Sequence, residues 1–363
     1  MSNIIASFFR STFDQTKVPD LTGRVYVATG GSNGIGLSVA RTLYSHGATV
    51  HILSSQKVTG DAAVDYIRTG DLDKAPADYK AGFGSQKDNS ANGATKDGSV
   101  DHTPVDFGDL NAVAKVAKNL AGLPRLDGFL GIAGLGVKDF ELTGDGYDRH
   151  LTVNALSHVL LLSHLLPLLE KTSKEHSDSD VRIVLEASEL HRATFGGPSE
   201  KYGGTKFADE EEFRKDVGPN SLYARTKLAD ILIVKAIVEK YLQPPSKILA
   251  YSVHPGGVAT GQQEQFKAAY GETLGNIAQA VFRPLFRAPD DGALSTIWAA
   301  TGPSAREGDF ENGGVALFLS STPKQDGKES NEATDPEIRE NFWRTSLGII
   351  KKVVGPDNVG SFA

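Results

Sequence analysis

The stretch Val25-Tyr26-Val27-Ala28-Thr29-Gly30-Gly31-Ser32-Asn33-Gly34-Ile35-Gly36 decides how this chain folds. Its first four residues form an apolar run, and Leu37–Tyr44 behind it is amphipathic, so the order reads strand, glycine turn, helix. Glycine at positions 30, 34 and 36 leaves room where a Cβ would collide with a ligand or with the facing backbone. Such a turn lets the backbone approach a pyrophosphate and points a helix N-terminus at its charge. Three glycines alone are a weak signal; the strand before them and the helix after them make it specific. Gly30, Ser32, Asn33, Gly34, Ile35 and Gly36 are therefore expected to touch a dinucleotide.

The pattern that begins there continues along the chain. Apolar runs at Val25–Ala28, Thr49–Leu53, Pro104–Phe107, Gly128–Ile132, Arg182–Glu186, Leu249–His254 and Gly314–Leu319 read as strands. Helical patterns alternate with them at Leu37–His46, Ala62–Arg68, Ala112–Ala121, Tyr147–Leu169, Leu222–Tyr241 and Asp290–Thr301. Strand–helix alternation predicts an α/β fold, a doubly wound parallel sheet with helices on both faces. No linker divides the chain, so one domain is expected over residues 21–347, with an extension at 1–20 and a tail at 348–363. Asp71–Asp101, rich in Gly, Ala, Asp, Lys and Ser, reads as an exposed, mobile insertion. Residues 262–289 read as a segment covering a crevice.

Composition narrows the function. The 363 residues contain no cysteine, which excludes disulfides, thiolate nucleophiles and thiolate metal sites. The formal charge of −7 and the lack of a basic stripe give no reason to expect nucleic acid. Nine histidines show no metal-ligand spacing, so no metal is expected. No uninterrupted apolar run reaches about 18 residues, so a membrane span is not expected. The start, Ile4–Arg10, is too short for a secretory signal, and a cytoplasmic enzyme is the default expectation.

Tyr223 and Lys227 sit four apart at the start of an apolar helix and so share a face. A phenol is a poor acid or base near neutral pH, and a neighbouring ammonium lowers its pKa. Ser188 follows the fifth strand, where a hydroxyl can hold a carbonyl or alcohol oxygen. Asn154 lies early in the buried helix, placed to hold a water beside the lysine. A second Tyr-x-x-x-Lys occurs at Tyr202–Lys206, but Gly203 and Gly204 oppose a helix there. Gly30-Gly31-Ser32-Asn33-Gly34 also fits a nucleophile elbow at Ser32, yet nothing strand-like precedes Val25 to supply an oxyanion loop.

At these residues the chain resembles the short-chain dehydrogenase/reductase family, and most of all its retinol-dehydrogenase-like branch. The matches, in order, are the glycine turn, Asn154 in Val-Asn-Ala-Leu-Ser-His, Ser188 in Arg-Ile-Val-Leu-Glu-Ala-Ser, Tyr223-Ala-Arg-Thr-Lys227, and His254–Thr260. The resemblance covers about Leu21 to Leu347 and implies a Rossmann-type fold. It implies that Tyr223 is the general acid/base, that Ser188 orients the reacting oxygen, that Lys227 binds the nicotinamide ribose, and that Asn154 completes a proton relay. It also implies cofactor contacts from Asp106 and Phe107 at the adenine, from Ala133 and Gly134, and from Pro255, Gly256, Val258 and Thr260 over the nicotinamide. Gly131-Ile132-Ala133-Gly134 stands where the family usually has Asn-Asn-Ala-Gly.

The second strand ends in Ser54-Ser55 with no acid for a ribose 2′-hydroxyl, which favours NADP over NAD, although NAD stays open. A hydrophobic ketone or secondary alcohol, or an aldehyde and primary alcohol, is the substrate class expected, with carbonyl reduction by NADPH as the favoured direction. The alternative is a nucleotide-binding protein of the same fold with a non-redox or regulatory role. The resemblance further implies a homodimer paired through the two long helices.

Overall fold

In the computed structural model, residues 13–83, 87–91, 93–194, 205–256, 288–303, 305, 317–318 and 329–362 are described. Strands β1 (Val25–Thr29), β2 (Thr49–Ser54), β3 (Ser99–Pro104), β4 (Gly128–Gly131), β5 (Arg182–Glu186), β6 (Leu249–Val253) and β7 (Leu317–Phe318) form one parallel sheet. Its order, β3-β2-β1-β4-β5-β6-β7, reverses direction between β1 and β4. The crevice outside the carboxyl ends of strands at such a reversal is where open α/β sheets bind ligands. The expected doubly wound fold is the one found.

Local chemistry sets each piece. The β1 side chains Tyr26, Val27 and Ala28 are fully buried, as a central strand covered on both faces requires. Tyr26 pairs with Gly128 on β4, and a Cβ on Gly128 would come within 2.4 Å of the tyrosine ring. That glycine is therefore a packing partner for the ring. Helix α1 (Gly34–Ser45) starts at Asn33, whose side chain accepts from the Gly34 N–H. Around the sheet lie α2 (Lys57–Thr69), α3 (Ala77–Phe83), α4 (Leu110–Leu120), α5 (Arg149–Glu175), α6 (Pro219–Tyr241), α7 (Pro289–Thr301) and α8 (Pro336–Val354). Asp109 caps α4 and Asp148 caps α5, each accepting backbone N–H groups of the first turn. Two apolar layers result, with α1, α2 and α7 on one face of the sheet and α4, α5, α6 and α8 on the other.

Four features differ from the sequence reading. β3 ends at Pro104, where Pro104–Phe107 was expected to be the strand, because its register with β2 pairs Thr49 with Ser99 and Ser54 with Pro104. Asp106 and Phe107 then fall just beyond the strand, at the crevice. The 71–101 segment is not a mere exposed loop. Tyr79 and Phe83 on α3 are buried, and the Tyr79 hydroxyl meets Ser38 Oγ at 2.7 Å. Residue 347 marks no boundary either: α8 runs through it, and Phe362 stacks on Tyr241 at 4.6 Å. Finally, α5 is long and apolar enough by composition to cross a membrane, although 89% of its apolar window is buried in this core.

Candidate active site

The crevice beyond β1, β2, β4 and β5 is a cleft of about 440 Å³. Gly30, Ser32, Asn33, Gly34, Ile35 and Gly36 form one wall, with Ser54, Ser55, Asp106 and Phe107 at one end and Ala133 and Gly134 beside them. Ser188, Tyr223, Lys227, Pro255 and Gly256 close the other end. Val258 and Thr260 lie outside the described residues, as do Tyr202, the first twelve residues and 262–287.

The glycine turn is a close-approach device. Gly30 has φ +69°, and a Cβ there would lie 2.9 Å from the Ala133 backbone. A Cβ on Gly36 would lie 2.3 Å from the Gly30 carbonyl oxygen. Only bare backbone allows the turn to sit this tightly against β4, with the α1 N-terminus aimed at the cleft; the residues present fit a pyrophosphate. Thr29 fixes the opposite lip. Its Oγ1 accepts from Ile132 N at 2.9 Å and Ala133 N at 3.0 Å and pairs with His158 Nε2 at 2.9 Å. Burial pushes His158 down to about 3, with the Lys227 charge adding to it, so the imidazole is neutral. Thr29 thus supplies from β1 a bridge at the place where Gly131-Ile132 has no asparagine.

At the β2 end of the cleft the Ser54 hydroxyl meets His102 Nε2 at 2.9 Å. Arg149, the first residue of α5, holds the Asp106 carboxylate with both contacts at 3.1 Å. Sequence reasoning missed Arg149, and it missed Asp78, which α3 brings to the cleft from within the segment read as an insertion. Neither carries a local motif; both arrive through tertiary packing.

At the other end, Tyr223 and Lys227 occupy successive turns of α6, with Lys227 Nζ 5.7 Å from the tyrosine ring centre. The Ser188 hydroxyl hydrogen-bonds the Tyr223 phenol. Lys227 Nζ donates to the Glu186 carbonyl at 2.5 Å and to Asp230 Oδ2 at 3.0 Å. Burial raises the Tyr223 pKa; Lys227 pulls it back, while Glu186 and Asp230 push it further up. For Lys227, burial opposes the charge, but Asp230, Tyr223 and Glu186 outweigh it and the pKa is raised. Burial lifts Glu186 to about 7 and Asp230 to about 6, each opposed by the Lys227 ammonium. These two carboxylates were not expected to belong to the site.

Asn154 lies in a π-helical turn, Thr152–Leu156, within α5. Its side chain is fully engaged: Oδ1 accepts from Leu135 N at 2.7 Å, and Nδ2 donates to Leu135 O at 3.0 Å and Thr226 Oγ1 at 2.9 Å. It therefore bolts the loop after β4 to α6. A matching clamp holds the segment before α6. Buried Arg225 donates to the Glu212 and Lys215 carbonyls at 3.0 Å each and pairs with Asp148 at 3.0 Å. The Glu212 carboxylate in turn accepts from the backbone N–H groups of Lys206, Phe207 and Ala208.

With this geometry in view, the similarities are informative. A Neurospora crassa protein described as a mitochondrial oxidoreductase, bli-4, is 33% identical over 359 residues, covering 96% of this chain and 77% of the relative. The chain belongs to the short-chain dehydrogenase/reductase family. The polyprenol dehydrogenase of Danio rerio is 27% identical over 356 residues, covering 96% and 93%. No family model matches the chain. Among solved structures, an uncharacterised Mycobacterium paratuberculosis protein superposes with TM-score 0.62 at 21% identity over 93% of this chain and 97% of its own. The RhlG/NADP complex of Pseudomonas aeruginosa gives 0.54 at 17% identity over 82% and 95%. The family is one of oxidoreductases on a Rossmann-type fold, and this chain is one of them.

Proposed function

We propose that this oxidoreductase reduces hydrophobic ketones or aldehydes with NADPH, with oxidation of the matching alcohol as the reverse reaction. The observation that carries the reading is the meeting of Ser188, Tyr223 and Lys227 in the same cleft as the glycine turn. A bound nicotinamide dinucleotide supplies the hydride for the carbonyl carbon. The chain's own residues do the rest. Ser188 holds the carbonyl oxygen, and Tyr223 gives its phenolic proton to that oxygen as the alcohol forms. Lys227 binds the ribose and stabilises the phenolate left behind. Asn154 and Thr226 keep α5 and α6 in register so that these groups stay aligned.

Preference for NADP is supported by Ser54-Ser55 and by the lack of a carboxylate at the end of β2. Asp78 favours the opposite choice, since an acid in this cleft can accept from a ribose 2′-hydroxyl and repels a 2′-phosphate. The name of the Danio rerio relative supports a long apolar alcohol or carbonyl as substrate. As compartment we propose the cytosol against the mitochondrion in the Neurospora crassa relative's name; the position of a fluorescent fusion tells them apart. A homodimer through α5 and α6 would need α8 to move aside, because α8 packs onto α6.

The test is consumption of NADPH with a panel of apolar ketones and aldehydes, including a polyprenal. Turnover of one class supports the reading and names the substrate. Binding of cofactor with no turnover in either direction would shift the protein to the non-redox alternative.

A further inference from the structure

The lysine beside the catalytic tyrosine is not free to act as an isolated positive charge. Its Nζ sits between the Glu186 carbonyl and the Asp230 carboxylate, and the Lys227 and Asp230 side chains are only 7% and 1% exposed. Asp230 stands one turn beyond Lys227 on α6, so the helix itself enforces the pairing. Among the described residues, Asp230 Oδ1 has no hydrogen-bond partner, so no donor other than the ammonium spends the carboxylate's charge. Glu186 closes the cluster from β5, two residues before Ser188. Glu186 is among the cleft-lining residues, and its carboxylate meets Thr296 Oγ1 of α7 at 3.4 Å.

We propose that Asp230, supported by Glu186, is a positioning residue that offsets the Lys227 charge, keeps the Tyr223 phenol protonated at neutral pH, and so biases the enzyme toward proton donation, the reductive direction. The inference rests on the carbonyl-reductase reading given above. A lone ammonium next to a phenol favours the phenolate, which is the form that alcohol oxidation requires. A carboxylate 3.0 Å from that ammonium makes a nearly neutral pair and withdraws the help. Among the described residues, the groups that act on the tyrosine and lysine come from α6 (Asp230), from β5 and its end (Glu186 and Ser188) and from α5 (His158, which is neutral), while the uncharged Thr296 of α7 meets the Glu186 carboxylate. In the reductive step the proton leaves the Tyr223 oxygen for the substrate oxygen while the hydride reaches carbon, and solvent reprotonates the phenolate. The carboxylates raise the proton affinity of that phenolate and so make its return to the acid form easier.

The experiment uses the full chain carrying Asp230→Asn, which keeps shape and removes charge, beside Glu186→Gln and the parent. Activity is followed against pH in both directions. Independently, the tyrosinate absorbance is titrated without substrate, with Tyr223→Phe as the reference. In Asp230→Asn, the acid limb of alcohol oxidation and the Tyr223 ionisation are expected to move to lower pH by on the order of one unit. At saturating substrate, kcat for oxidation at neutral pH then rises relative to kcat for reduction, and Glu186→Gln shifts the same way by less. An unchanged ionisation in both folded variants, or a shift to higher pH, would overturn the proposal. If Asp230→Asn does not fold, Glu186→Gln decides alone. The spectroscopic titration needs no turnover, so a failure of the carbonyl-reductase reading shows as inactivity of the parent with the ionisation shift intact.

Discussion

The two ends of the cleft are built by different means. The end made by β1, α1 and β4 is a backbone construction: Gly30 and Gly36 clear space, and one hydroxyl, Thr29, pins the facing loop. The end made by β5 and α6 is a side-chain construction. There Asn154 ties α5 to α6, Arg225 and Glu212 hold the segment before α6, and Asp230 pairs with Lys227 along α6 itself. Backbone devices need particular residue types at fixed local spacing and stay much the same whatever the substrate. Side-chain clamps need only complementary partners somewhere in the fold, so they vary freely and are poorly visible in a single sequence.

The sharpest way to separate the two ends is Tyr223→Phe. Turnover should fall by at least about 10²–10⁴-fold, while the NADPH Kd changes little. Tyr202→Phe should keep near-normal turnover; the reverse outcome would move the catalytic assignment to Tyr202. Gly36→Val attacks the other end. With its Cβ 2.3 Å from the Gly30 carbonyl, the turn must open, and cofactor binding should drop by more than about 100-fold; fluorescence titration checks this.

Arg225→Met breaks the substrate-side clamp and strands Asp148, which is fully buried. Removing one partner of a buried pair costs about 3–5 kcal/mol, so Tm should fall clearly in calorimetry. The fall should be smaller at low pH. Burial pushes the Asp148 carboxyl up, but hydrogen bonding from His150 and the Arg225 guanidinium outweigh it and hold the group below its usual range, so the stability that it contributes is present above its unfolded pKa and fades as pH drops through its folded pKa. The smallest effect is expected for Asp78→Asn at the adenosine rim, a few-fold shift of the Kd ratio toward NADPH. No change in that ratio would take Asp78 out of cofactor selection.

The fold was legible because strands and helices alternate with clear periods, and Asn154, Ser188, Tyr223 and Lys227 could be proposed as a site because each sits in a local motif. β3 was misplaced because Val105 and Phe107 are more apolar than the strand itself, which carries Asp101, His102 and Thr103. The ordered helix Ala77–Phe83 was hidden because only Tyr79 and Phe83 face inward from a polar segment. The C-terminal helix escaped notice although Asp335 and Pro336 start it in the usual way, with a capping side chain and a proline in the first turn. Its purpose appears only in three dimensions, where Phe342 packs against Phe207 at 5.0 Å, and Thr345 Oγ1 donates to the Phe207 carbonyl at 3.1 Å. Phe207 has φ +51°, a conformation few non-glycine residues adopt, and these contacts hold it there.

The central claim, a dinucleotide-dependent oxidoreductase whose tyrosine acts as the proton donor, is tested most directly by paired titrations of the parent and Tyr223→Phe. Each protein is titrated with NADPH and NADH, following nicotinamide fluorescence, before an apolar ketone is added. The expected result is similar NADPH binding by both, with the signal decaying after ketone addition in the parent alone. Failure of the parent to bind either dinucleotide, or equal decay in both proteins, would contradict it.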